Sequence, residues 1–98
     1  MSTLVVEASS ILARTVSVTD ASLIVELMDG RSLSVPLAWY PRLQHGTPDE
    51  RKNWRLIGRG DGIHWPDLDE DISVSGLVAG HQSNECQASL ERWLKARG

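Results

Sequence analysis

The dipeptide Asp29-Gly30 constrains this chain more than any other feature. An Asp-Gly step accepts the positive φ that a tight antiparallel reversal demands, and here alternating runs flank it on both sides. Before it, Leu23, Val25 and Leu27 fall on one face of a strand, with Ile24 and Glu26 on the other. After it, Leu33 and Val35 align in Arg31-Ser-Leu-Ser-Val. Upstream, beyond Asp20-Ala21-Ser22, Val16 and Val18 alternate in Thr15-Val-Ser-Val-Thr. The pattern predicts a three-stranded antiparallel meander over about residues 13–36 with one apolar face. Pro36 ends the ladder, because proline has no N–H to donate. One apolar sheet face needs a cover, so the expected class is α+β, with short helices packed on the meander.

Two helices are expected for that cover, at about residues 48–55 and 84–96. The first begins on Thr47-Pro-Asp-Glu: Thr47 caps, Pro48 suits the first helical position and Glu50 completes a capping box. Asp49 and Glu50 then lie at the positive end of the helix dipole. In the second, Cys86, Leu90, Trp93 and Leu94 fall at i, i+4, i+7 and i+8 and form one apolar stripe. Arg92, Lys95 and Arg97 lie toward its negative end. Between meander and helices, Leu37 to Leu43 reads as a short helical turn broken at Pro41, and Leu56-Ile57-Gly58 is ambiguous. Gly58, Gly60 and Gly62 punctuate a tight loop before Ile63-His64-Trp65-Pro66. Residues 1–12 read as a short helix or a frayed lead-in. With no repeat and no linker, residues 1–98 are expected to form a single domain, a usual size for one.

Other features bear on where the chain works. A lone cysteine, Cys86, cannot form an internal disulfide, which points to a reducing, cytoplasmic setting. No run approaches the roughly 18 apolar residues of a membrane span. Glu7 interrupts the apolar start and no basic segment precedes it, so no signal peptide is read. Thirteen acidic against ten basic residues leave a net charge of −3, which disfavours a free-standing electrostatic DNA binder.

The acidic stretch Asp67, Asp69, Glu70 and Asp71 is the first candidate for chemistry. Asp67, Asp69 and Asp71 have the spacing of a calcium loop, but Ile72 and Val78 stand where glycine and glutamate are required. The structural alternative is that Asp69 or Asp71 caps a turn over 72–77, while the remaining acids face a basic partner. A general-base role for His64 would need Asp67 or Asp69 within hydrogen-bond reach, and no nucleophile motif surrounds it. His45 and His81 are isolated, so no zinc set forms. Neither metal nor cofactor is expected. The run Gly58-Arg-Gly-Asp-Gly is not a dinucleotide fingerprint, because Ile63 replaces the third glycine, and it reads as a turn.

The aromatic set is four Trp, one Tyr and no Phe. Trp93 belongs to the helical stripe and is expected in the core. Trp39, Tyr40, Trp54 and Trp65 lie beside loops or element ends, as core fillers or, near Pro41 and Pro66, as an aromatic interaction patch. Charge is segregated: five basic residues lie between Arg42 and Arg59, whereas Asp61 to Asp71 holds five acids and no base.

These residues also carry a resemblance. The series Asp29-Gly-Arg, Val35-Pro-Leu-Ala-Trp-Tyr-Pro-Arg-Leu, Thr47-Pro, Asn53-Trp, Gly62-Ile-His-Trp-Pro and Leu68-Asp-Glu-Asp-Ile-Ser-Val resembles domain-of-unknown-function family 2442. The resemblance covers about residues 13–80 and leaves 81–98 as a helical tail. It implies a small bacterial α+β domain with an antiparallel sheet, often predicted beside a toxin-like protein, and supplies no catalytic residues. Some relatives carry a helix-turn-helix, for which this tail is too short.

Together these features predict a non-enzymatic protein-interaction module, antitoxin-like or inhibitory. Its partner-binding surface is expected to comprise Trp39, Tyr40, Trp65, Pro66, Asp67, Asp69, Glu70 and Asp71, with a homodimer as a possible assembly. The alternative is a regulatory accessory, dimeric or associated with nucleic acid through Arg42, Arg51, Lys52, Arg55 and Arg59.

Overall fold

A computed structural model describes residues 11–97, so the expectation for the N-terminal lead-in falls largely outside the described residues. The meander is present as predicted: β1 (Ala13–Val18), β2 (Ser22–Leu27) and β3 (Ser32–Pro36) form an antiparallel sheet in that order. Its register sets Val16 against Val25, Val18 against Leu23, Leu23 against Val35 and Val25 against Leu33. These cross-strand apolar pairs make up the core face. A bulge between Ala13 and Thr15 breaks the alternation, which lets both Ala13 and Val16 point inward although three positions separate them. Gly30 takes the positive φ of the β2–β3 turn.

A second antiparallel sheet was not expected. It comprises β4 (Arg55–Ile57), β5 (Gly62–Trp65) and β6 (Glu70–Ser73), in that order. The ambiguous Leu56-Ile57 is therefore a strand, paired in register with Gly62 and Ile63. The two sheets are tied at the glycine loop, where the Gly60 carbonyl accepts a 2.8 Å hydrogen bond from the Ala13 amide. Gly60 has φ +109°, and a Cβ there would lie 2.5 Å from the Ala13 carbonyl oxygen. Both conformation and clearance demand glycine at this junction.

Among the described residues, four short helices complete the fold. A 3-10 turn at Leu37–Trp39 leads into α1 (Pro41–His45). Pro41 starts this helix rather than breaking one, in keeping with its missing N–H. In α2 (Pro48–Lys52) the Thr47–Glu50 capping box is fully formed. That helix stops short of the expected residue 55, because Arg55 enters β4. In α3 (Val74–Val78) the cap is the Ser73 hydroxyl, which accepts from the Gly76 amide at 3.2 Å. The expectation that Asp69 or Asp71 caps this segment is corrected: Asp69 occupies the β5–β6 turn with φ +51°, and Asp71 lies within β6. The tail forms α4 (Gln87–Arg97).

One apolar cluster joins Leu23, Val25 and Leu27 of the first sheet to Ile63, Trp65 and Ile72 of the second, with Leu37, Leu43, Leu68, Val74 and Leu77 between them. Helix α4 contributes no buried residue. The predicted stripe is thus corrected: Cys86 is exposed, and Leu90, Trp93 and Leu94 are only half-buried. Among the described residues, no helix is long and apolar enough to cross a membrane.

Candidate functional site

Strand alternation decides how the acidic segment is presented. In β6, Glu70 and Ile72 share the inward face, whereas Asp71 and Ser73 point to solvent. Glu70 lies opposite Trp65 in the β5–β6 register and is half-buried. Burial pushes its carboxyl up to about 7, and Glu85, Asp71 and Asp69 add to the rise, against the downward pull of Arg42. The remaining acids stay outside. Asp67 accepts a 2.9 Å bond from the Asn53 side-chain amide, and Asp71 pairs with Nδ1 of its cross-strand neighbour His64.

Glu70 lines a cleft of about 500 Å³ between the β6 end of the domain and the tail. The domain side includes Tyr40, Asp71 and Ser73, and the tail side His81, Glu85 and Ser89. Arg42 stands behind the seam as the cation of the cluster. Its Nε donates to Glu85 Oε1 at 2.6 Å and its Nη2 to Oε2 at 3.3 Å, while Nη1 donates to the Asp69 carbonyl at 3.0 Å. The Ser89 hydroxyl also bonds Glu85. That bond, with Arg42 in support, holds Glu85 below the usual carboxylate range despite the opposing effect of burial.

The expected partner surface divides under this geometry. Trp65 is 0% exposed, and its indole N–H donates to the Arg51 carbonyl at 3.0 Å, so it is a core residue rather than an anchor for a partner. Tyr40 is likewise buried, with its hydroxyl donating to the His81 carbonyl at 2.7 Å. Trp39 is half-buried against the core, and its carbonyl receives the Ser83 amide. Pro66, Asp67, Asp69 and Asp71 remain exposed, and Glu70 faces the cleft. Sequence reasoning missed Arg42 as the organiser of the acids and Glu85 and Ser89 as the opposite wall. The only local signal was the i, i+4 spacing of Glu85 and Ser89 on a helix start.

The other constellations separate. His64 meets Asp71, on the solvent side of the second sheet, and not Asp67 or Asp69. The basic series is broken up by internal bonds. Arg51, 11% exposed, donates to the carbonyls of Leu43 and Gln44 and pairs with Asp20, while Arg42 is committed to Glu85. Lys52, Arg55 and Arg59 remain exposed. Among the described residues, no group of three or more His, Cys, Asp or Glu side chains is placed to hold a metal ion.

Comparison with known proteins agrees with this architecture. A family model described as protein of unknown function (DUF2442) matches residues 13–83. A protein of unknown function from Rhodospirillum rubrum ATCC 11170 is similar in structure with a TM-score of 0.65 and 28% identity. The alignment covers 82% of this chain and 96% of that one. An uncharacterised protein of Chromobacterium violaceum has a TM-score of 0.64 at 19% identity, over 88% of this chain and 75% of the other, and shows the fold alone. No curated protein matches the sequence.

Proposed function

The chain belongs to the family described as protein of unknown function (DUF2442), and from that premise we propose that it is a protein-interaction module whose acidic cleft receives a basic segment of a partner protein. The observation that carries this reading is the half-buried Glu70 in the cleft between Tyr40 and the Glu85 wall, with Arg42 already committed to Glu85. A lysine or arginine entering the cleft would meet Glu70 and Asp71 without displacing a salt bridge of Glu70. It would favour the ionised form of Glu70 and offset the cost of holding that charge partly out of water. Outside the cleft, Asp67 and Asp69 give a negative rim that speeds and orients encounter with a basic surface. In its antitoxin-like or inhibitory form, the module caps such a surface on a toxin-like neighbour gene product.

The direct test is co-expression with the product of the adjacent gene. Co-elution in 50 mM salt, with loss of the complex at high salt and in a combined E70Q and D71N variant, supports the reading. Separate elution of the two wild-type proteins at low salt removes it.

A further inference from the structure

The attachment of the tail differs in kind from the packing of the rest of the molecule. The core joins two sheets through fully buried apolar side chains, yet none of its buried members lies beyond Leu77. The tail is held mainly by polar contacts, and its one apolar contribution to the core is the half-buried Trp93, which packs against the outside of the cluster. The Tyr40 hydroxyl binds the His81 carbonyl, the Ser83 amide binds the Trp39 carbonyl, and Arg42 grips Glu85. At the far end of α4, Arg97 pairs with Glu50 through bonds of 2.7 and 3.1 Å. Trp93 lies between two guanidinium groups, 5.1 Å from Arg42 and 4.7 Å from Arg97. The family match ends at residue 83, so α4 lies outside the matched segment.

We propose that residues 84–97 are an ionic latch. They release from the domain as a unit while both sheets stay folded, and their release opens the cleft on the Glu70 side. Three independent points support this. Detaching α4 exposes none of its own side chains from full burial, only the half-buried Leu90, Trp93 and Leu94, so the hydrophobic penalty is smaller than for any element of the core. An eleven-residue helix without tertiary support is marginal in water, so the released segment melts rather than wandering as a rigid rod. Arg42 keeps a partner when the latch leaves, because its bond to the Asp69 carbonyl lies within the domain.

The cleft also gives the latch a switch. Arg42 forms a two-bond pair with Glu85 of the tail, and ionised Glu70 on the domain side competes for the same cation while repelling Glu85. Arg42 of α1, Asp69 and Asp71 of the hairpin and Glu85 of the tail are the charged groups that influence Glu70, and Tyr40, His81 and Cys86 line the same cleft. Closing the tail over Glu70 favours its neutral form. Rising pH through neutrality therefore favours release, and falling pH favours closure. The latch does not depend on whether the cleft binds a partner.

Hydrogen exchange on the full chain tests it, with rates divided by the intrinsic rates at each pH. Amides of 90–97 are expected to exchange about 100-fold or more faster than those of β2, as for a sub-global opening. Between pH 6 and pH 8 their opening should grow by roughly tenfold, as one added charge does when it disfavours a closed state. Glu70→Gln should remove that pH dependence, and Arg97→Ala should raise opening of 90–97 while leaving β2 unchanged. Protection of 90–97 equal to that of β2 overturns the latch. A pH response unchanged in Glu70→Gln overturns the switch.

Discussion

Trp65 shows how one residue's face can reverse its meaning. Its neighbours Pro66 and Asp67 advertise a surface, but parity with Ile63 along β5 carries it into the core. Truncating it to alanine removes the largest fully buried side chain and should cost about 3–5 kcal/mol, close to the whole stability of a marginal small domain. Trp65→Phe fills most of the volume but leaves the Arg51 carbonyl without its indole donor, for a smaller loss of about 1–2 kcal/mol. Urea denaturation of the pair separates the packing from the hydrogen bond. Gly60 makes a second test at this scale. Gly60→Ala meets both a left-handed φ and the Ala13 carbonyl, whereas Gly30→Ala meets only the φ, with nothing within 4 Å. The Gly60 variant should lose about 2 kcal/mol or more and the Gly30 variant about 1 kcal/mol, read as a difference in urea midpoint at constant m-value.

Among elements, the meander was legible because each of its strands has at least five residues and the Asp-Gly turn marks the register. The second sheet was not. Its strands have three or four residues, too few for alternation to show, and glycines that read as loop punctuation turn out to sit in and between strands. The candidate site was legible only in half: the acids of 67–71 stand out in the sequence, but Arg42 reaches Glu85 across 43 positions with no pattern to announce it. Helix α2 was legible at its start and matters beyond its length. It supplies the Arg51 carbonyl that holds Trp65, and the Glu50 carboxylate that serves both the capping box and Arg97. Thr47→Ala should therefore cost about 1 kcal/mol in urea unfolding, the usual worth of such a cap. A loss below a few tenths of a kcal/mol would mean that tertiary contacts alone hold this helix.

For the molecule as a whole, opposed carboxyl groups shape the dependence of stability on pH. Arg97, with the Thr47 amide, holds Glu50 below its ordinary value, and Ser89 with Arg42 does the same for Glu85. Both stabilise the fold above the ordinary carboxylate range, and that contribution is lost as acid protonates them. Glu70 has the opposite sign, since burial raises it from 4.5 to about 7. Between those two values the folded chain holds a proton that the unfolded chain has released, so stability falls as pH rises through this window and levels off above it. A fully buried group with this shift would cost on the order of 3 kcal/mol, and the partial exposure of Glu70 reduces that to about 1–2 kcal/mol. Glu70→Gln keeps the shape and removes the charge. It should match the wild type near pH 5, exceed it by about 1–2 kcal/mol at pH 8, and show a flat profile between them. Urea unfolding at a series of pH values checks this. A variant less stable than the wild type at pH 8 would mean that Glu70, once ionised, gains more from Arg42 than it loses through burial and the neighbouring acids.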